Sequence, residues 1–320
     1  MCRCIDPRAV LAQAVWTSVV YASGFARIEW GRHCRVEVRG LRRRCRTHGR
    51  GANVQQFEQI SGLGVPPSAE DACCVTDIVL HVINLPGSAE RHVSMEAQAA
   101  ALGLSLTFFE AVNGQVAHPL FAHVHAGKRQ ARKGRPFRPG ELGCWASHYL
   151  LWQQCVESGK PMVVLEDDIV LDPQFPELVR ALSLVPEDVG YFRLHAEDRP
   201  SLAWRRFGSF VLHRYLQNPS CTFGYYLAPV AAERFLRHAA EWVVPVDDYM
   251  DLAWLHGVDC LGLKPGVVSG GNVFESTIRA EAKRKAGVGV RGWVTREAHR
   301  IWLDLRWFQY NLFARLRLRG

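Results

Sequence analysis

The stretch VVLEDDIVL (residues 163–171) sets three consecutive carboxylates, Glu166, Asp167 and Asp168, between runs of Val, Leu and Ile. A near-continuous β-branched and leucine run is the pattern of a strand covered on both faces. Burying even one unpaired carboxylate is costly, so a strand with three at its tip must open onto water, onto cationic side chains or onto a metal ion. One short segment thus predicts both a buried sheet and a polar edge to it.

Working outward, DIVLHVINL (77–85) reads as a second buried strand. Ser88 can cap a helix through AERHVSMEAQAAALG, with Gly103 as its stop, and LSLTFFEAV (104–112) reads as another strand closed by Asn113-Gly114. Strand, helix, strand predicts a parallel sheet. Residues 115–139, with most of the basic run GKRQARKGRPFRPG, read as a polar, mobile loop. PGELGCWASHYLLWQQCVESGKP (139–161) predicts a helix opened near Pro139 and stopped at Gly159; it is apolar on most sides, hence buried, and it embeds Ser147 and His148. GYFRLH (190–195) and SFVLHRY (209–215) are further strands, and APVAAERFLRHAAEW (228–242) is a helix with Pro229 at its start.

The 320 residues can hold one large α/β domain or two ordinary ones. The net charge of +8 sits at the ends: residues 1–76 carry 11 Arg against 6 acids and residues 279–320 carry 11 basic residues against 3 acids. The middle is therefore mildly acidic and no RNA- or DNA-binding motif is present, which argues against nucleic acid as a partner. Cys2, Cys4, Cys34, Cys45, Cys73 and Cys74 crowd the first quarter, whose pairs lack the two-residue spacing of zinc sites; Cys144, Cys155, Cys221 and Cys260 read as reduced, buried thiols. Residues 9–25 are apolar but too short and interrupted for a membrane span. Residues 1–75 read as an extension outside the folded domain, disordered or non-native, followed by a domain over 76–278 and a tail over 279–320.

In an open α/β sheet, ligands sit beyond the carboxyl ends of the strands, where Asn84, Glu166 to Asp168 and His195 fall. Hard carboxylate oxygens suit Mg²⁺ or Mn²⁺, although a polar turn accounts for the same spacing. No G-x-G-x-x-G or P-loop is present, so a nucleotide must be held another way, and a divalent metal is one. PVDDYMD (245–251) adds a second acidic cluster, in which Asp247 or Asp248 is either a helix N-cap or a general base.

These residues resemble glycosyltransferase family 25, the lipopolysaccharide and lipooligosaccharide glycosyltransferases that also resemble the collagen galactosyltransferase domain. The resemblance runs through VINLPGSAERH (82–92), FEAVNG (109–114), PGELGCWASHYLLWQ (139–153), VVLEDDIVL (163–171), GYYLAP (224–229), PVDDYMD (245–251) and ESTI (275–278). It implies a GT-A-like nucleotide-sugar-binding α/β fold with a mostly parallel central sheet. It implies Mn²⁺- or Mg²⁺-dependent, inverting transfer of a hexose, galactose first, from a UDP-sugar to a lipid-linked saccharide acceptor. By position, Asp168 and Glu166 match the metal ligands, and Asn84, Arg91, Ser147, His148, Glu166 and Asp167 the donor site. Asp247 and Asp248 match the position of the base. Gly114, Gly140 and Gly143 read as backbone-driven and His195 as structural.

The last segment, RGWVTREAHRIWLDLRWFQYNLFARLRLRG (291–320), interleaves Trp293, Trp302, Trp307, Phe308, Tyr310, Phe313 and Leu316 with seven arginines. A basic, aromatic-rich amphipathic helix suits an anionic membrane surface, and a helix packed on the domain with a solvated basic face is the alternative. Together with a lipid-linked acceptor, the first reading predicts a cytoplasmic protein peripheral on the inner face of the membrane.

Overall fold

The structure, a computed structural model, describes residues 78–271 and 290–317, all within the unit that runs from Pro67 to Gly320. The expected extension, the cysteines of the first quarter and the ESTI segment lie outside the described residues.

The chain opens with strand β1 (Val79–Asn84), helix α1 (Ala89–Leu102) and strand β2 (Thr107–Glu110). Gly103 closes α1 in the left-handed conformation at φ 64°, as its place in the sequence predicts. After a 3₁₀ turn (Pro119–His123) come α2 (Ala126–Lys133), the long α3 (Pro139–Ser158), β3 (Met162–Glu166) and the short β4 (Ile169–Leu171). Then follow α4 (Phe175–Ala181), β5 (Tyr191–Arg193), the hairpin β6 (Ser201–Phe207) and β7 (Phe210–Tyr215), β8 (Gly224–Leu227) and α5 (Pro229–His238). The remaining elements are α6 (Val246–Met250), α7 (Ala253–His256), β9 (Leu261–Leu263), β10 (Val268–Gly270) and α8 (Val290–Arg317).

Eight strands form one mixed sheet in the order β2-β1-β3-β8-β5-β9-β7-β6, and β4 pairs with β10 apart from it. β1 lies parallel to β2 and β3, and β5 to β9; β8 and β7 run against their neighbours, so six of the eight strands point one way. That common direction brings the carboxyl ends of β1, β3 and β5 to one edge.

Alternation along β3 builds two cores. Val163 and Leu165 pack with Leu80, Val82, Met95 and Phe192 on one face; Met162 and Val164 pack with Trp145, Trp152, Phe235 and Trp242 on the other. α3 is apolar all round because both its flanks are covered, with Leu151, Trp152 and Cys155 fully buried.

The basic connection 115–139 is not a loop. It folds into the 3₁₀ turn and α2, and the reason is Glu141, buried in the first turn of α3. Arg129, fully buried, donates to Glu141 Oε2 at 3.0 Å and stacks its guanidinium 4.0 Å over the Phe137 ring; Arg135 grips both carboxylate oxygens at 2.7 Å. Burial opposes the charge on Glu141, yet Arg135, the Arg138 backbone N–H and Arg129 hold its carboxyl down at about 2. A run that reads as solvated charge is thus folded by one buried carboxylate.

α8 packs against α2 and α7. Trp307 is buried, edge-on to Trp254 at 5.4 Å, and the Tyr310 hydroxyl donates to Asp259. Of the aromatic residues expected to face a membrane, Trp307 and Tyr310 therefore turn inward; Trp302, Phe308 and Phe313 are exposed. Side chains of residues 290–296 and 314–320 lie outside the described residues.

Candidate active site

Asn84 ends β1, Glu166 ends β3 in register with Ile83, and Arg193 ends β5, so their side chains gather at one edge of the sheet. The three carboxylates after β3 have three different situations. Asp167 is tied down: Asn84 Nδ2 donates to one oxygen at 2.8 Å and Arg91 to the other at 2.9 Å. Asn84, Arg91 and Asp167 thus form a clamp between β1, α1 and the β3 turn. Asp168 lies 3.6 Å from the same Arg91 guanidinium and keeps about a fifth of its side chain exposed. Glu166 accepts from the Thr222 hydroxyl. Burial and then Asp168 push the Glu166 carboxyl up to about 8, against the Thr222 hydrogen bond, with Asp247 and Asp167 adding to the rise.

That rise shows that the second acidic cluster reaches the first. In α6, Asp248 pairs with Lys133 of α2 at 2.6 Å and receives Asn218 Nδ2 at 3.4 Å. Asp247 caps the next residue, accepting from Asp248 N–H at 2.8 Å; burial, then the neighbouring Asp248, raise its carboxyl. Both clusters therefore crowd negative charge into one cleft, which Arg91, Lys133 and Arg193 partly offset.

Between them runs Asn218 to Thr222, where Ser220 and Cys221 stand at φ 58° and 62°. Non-glycine residues held there cost about 1–3 kcal/mol each and persist only under external restraint. The restraint is Arg193, fully buried, which donates to the Ser220 and Cys221 carbonyls and to Asp251 at 2.6 Å. Asp251 accepts the Ser220 N–H at 3.2 Å. Burial works against the Arg193 charge, and Asp251 keeps it protonated. His195 is also buried, with Nε2 3.3 Å from the Ser220 carbonyl, and burial followed by Arg193 holds it neutral at about 3. It is a strut for this loop, as its place after a strand suggests.

Ser147 is fully buried with both hydrogen bonds spent on the fold: it accepts Val112 N–H at 2.9 Å and donates to the Gly143 carbonyl at 2.8 Å. The contact is close because a Cβ at Gly143 would lie 2.3 Å from the Val112 carbonyl, and one at Gly114 would lie 1.7 Å from that of Pro139. His148 is buried below the carboxylates, with Nδ1 2.8 Å from the Tyr225 hydroxyl; burial, then Arg193, hold it neutral at about 3. Beyond the ends of β1 and β2 lies a cavity of about 560 Å³ lined by Leu85, Gly87, Ser88, Glu110, Asn113 and His118 among others. Its size is that of a small-molecule site.

Sequence reasoning missed Arg193 and Thr222, and it placed Asp251 in the second acidic cluster without a role of its own. Arg193 sits inside an apolar strand, where an isolated arginine is itself a signal, since a buried charge requires a partner. Nothing local marks Thr222.

The model of glycosyltransferase family 25 (LPS biosynthesis protein) matches residues 78–250. A glycosyltransferase 25 family member of Aedes aegypti is 30% identical over 203 residues, covering 59% of this chain and 32% of that protein. Procollagen galactosyltransferase 1 of Danio rerio is 26% identical, covering 54% and 31%. Lacto-N-neotetraose biosynthesis glycosyltransferase LgtB of Neisseria gonorrhoeae is 31% identical over 93 residues, covering 28% and 32%. The chain spans about a third of the length of these relatives.

Proposed function

The chain belongs to glycosyltransferase family 25, and on that premise we propose that it moves a hexose, galactose first, from a UDP-sugar to a lipid-linked lipooligosaccharide acceptor with inversion. The name of the procollagen galactosyltransferase supports the choice of sugar, and the family's description as LPS biosynthesis, with a relative named for lacto-N-neotetraose biosynthesis, supports a saccharide acceptor. The observation that carries the reading is the gathering of Glu166, Asp168 and Asp247 at the carboxyl edge of the sheet, where burial first, and then Asp168 and Asp247, lift the Glu166 carboxyl to about 8. Carboxylates gathered in this way fit a divalent cation, Mn²⁺ or Mg²⁺, with Asp168 and Glu166 as its holders. When bound, such a cation neutralises charge on the departing diphosphate.

The chain's own residues have distinct parts. The cavity beyond β1 and β2 takes the nucleoside end of the donor. Asn84 and Arg91 act through Asp167, fixing the turn that presents Asp168. Ser147 positions the loop that lines the cavity by holding Val112. Asp247 is the base: burial and then Asp248 raise its carboxyl above the ordinary carboxylate range, whereas Asp248 is occupied by Lys133 and serves to orient it. Inversion requires no covalent intermediate, so Asp247 needs only to take the proton of the acceptor hydroxyl as its oxygen attacks the anomeric carbon and UDP leaves.

On α8, Ile301, Leu305, Phe308 and Leu312 recur at helical spacing on an exposed face, with Trp302, Phe313 and Arg306 beside them. We assign this face to an anionic membrane surface, which puts the enzyme beside a lipid-linked acceptor at the inner face of the membrane. No described helix is long and apolar enough to cross a membrane. The test is UDP release from a panel of UDP-sugars by the full chain, with Mn²⁺ and with EDTA, using lipooligosaccharide and collagen-type acceptors beside Asp247→Asn. Release from a single donor, lost in the variant, is the expected result; equal release by the variant would overturn the assignment.

A further inference from the structure

The segment Asn218-Pro219-Ser220-Cys221-Thr222 joins the two acidic clusters. Its last residue donates a hydroxyl to Glu166, and its first donates Nδ2 to Asp248 at 3.4 Å. Its middle bends through two consecutive left-handed residues, Ser220 at φ 58° and Cys221 at φ 62°. Glycine adopts this conformation at no steric cost, yet the chain places side chains at both positions. Strain of this kind persists where the surroundings over-determine it, and it gathers at sites where position matters.

The surroundings here converge on one side chain. Arg193 is fully buried at the end of β5. Its Nη1 donates to the Ser220 carbonyl at 3.0 Å and to the Cys221 carbonyl. Its Nη2 donates to Asp251 Oδ1 at 2.6 Å and reaches the Asp247 carbonyl at 3.5 Å. Asp251 closes the circuit, accepting the Ser220 N–H at 3.2 Å on its other oxygen. The Cys221 backbone in turn hydrogen-bonds the Asp247 carboxylate. One guanidinium thus ties β5 to the turn, to Asp247 in the first turn of α6 and to Asp251 at its end. A buried ion pair requires Asp251 alone; the bonds to two strained carbonyls and to the Asp247 backbone go beyond it. The rigid planar fork of arginine makes all of them from one group, which a lysine ammonium does not.

We infer that Arg193 is a positioning residue for the transfer: through the left-handed pair Ser220 and Cys221 it fixes the Cys221 N–H against the Asp247 carboxylate, and so aims that carboxylate at the acceptor hydroxyl. Arg193 acts through the turn and not on the substrate. The inference rests on the reading of Asp247 as the base and adds to it the part of the fold that holds the base in place. Glu166 and Asp168 keep the part already given them.

The test is steady-state UDP release by the full chain with Mn²⁺ and the UDP-sugar of the panel that the wild type turns over, each variant checked for folding by circular dichroism. Arg193→Lys keeps a charge beside Asp251 and loses the fork; kcat should fall about 10–100-fold with donor KM held within about threefold. Adding Ser220→Gly and Cys221→Gly lets the chain take the left-handed turn without the fork. In the Arg193→Lys background these glycines should restore kcat by at least about tenfold, a gain they should not give in the wild type. A role in stability alone would lower the melting temperature of Arg193→Lys and leave kcat per folded enzyme as it was. Should Arg193→Lys not fold, Cys221→Val decides the matter: it leaves the Arg193–Asp251 pair intact, its β-branched side chain resists the left-handed conformation, and it should lower kcat more than Cys221→Gly does. Wild-type kcat in folded Arg193→Lys, a loss that the glycines do not relieve, or equal kcat in Cys221→Val and Cys221→Gly would overturn the inference. With Asp247→Asn run alongside and inactive, each of those results would leave the base reading standing. No turnover by the wild type, or undiminished turnover by Asp247→Asn, would overturn the base reading and this inference with it.

Discussion

Replacing Glu141 by Gln isolates the buried charge cluster that folds the basic connection. The substitution keeps the side chain's size and removes its charge, leaving Arg129, wholly out of water, and Arg135 without their common partner. Two routes give its magnitude. The carboxyl sits at about 2 instead of 4.5, and at about 1.4 kcal/mol per pH unit this corresponds to about 3 kcal/mol of stabilisation at neutral pH. Breaking a buried ion pair by removing one member costs about 3–5 kcal/mol. The sign follows from a folded-state value below the unfolded one: the stabilisation is complete above about pH 4.5 and disappears as pH falls through about 2. Urea unfolding followed by circular dichroism should show Glu141→Gln about 3 kcal/mol less stable at pH 7, with the gap narrowing steadily below pH 4.5. A difference under about 1 kcal/mol at pH 7, or a gap that does not change between pH 6 and pH 3, would refute this account of the cluster.

Asp247→Asn should lower kcat by about 10²–10⁴-fold with little change in donor KM, measured by UDP release, since it removes a proton acceptor and no donor contact. Asn84→Ala should raise the donor KM and lower stability by about 1–3 kcal/mol in urea unfolding, because Asp167 loses one of its two restraints. Divalent-cation affinity, measured by calorimetry, should rise up to about tenfold per pH unit until about pH 8, as the Glu166 proton stops competing. On α8, Phe308→Glu should reduce co-sedimentation with anionic vesicles while shifting stability by less than about 0.5 kcal/mol; Trp307→Ala, on the packed face, should cost about 3–5 kcal/mol, read by thermal unfolding.

The local pattern carried most of the architecture. β-branched runs at 79–84 and 162–166, the glycine stops at Gly103 and Gly159, and Pro139 and Pro229 at helix starts all act over a few residues, so the linear chain displays them. The same holds for Glu166 to Asp168 and for Asp247 and Asp248, since a carboxylate at the end of an apolar run is conspicuous wherever the fold takes it. Short strands such as β8 and β9, buried among neighbours and only a few residues long, have too little period to read.

Tertiary structure alone decided which charges meet. Arg129 with Glu141, Lys133 with Asp248, Arg193 with Asp251 and Thr222 with Glu166 are separated by 12 to 115 residues, and no spacing rule connects them. A charge is indifferent to sequence distance and acts only through spatial distance and the surrounding dielectric. The sequence by itself therefore determined that acidic side chains line the edge of a buried sheet. Packing determined that Asp167 is tied to Asn84 and Arg91, that Asp248 pairs with Lys133 while Asp247 accepts a backbone N–H, and that a stretch of Arg and Lys is ordered, because burial turns an unremarkable Glu141 into the anchor of its surroundings.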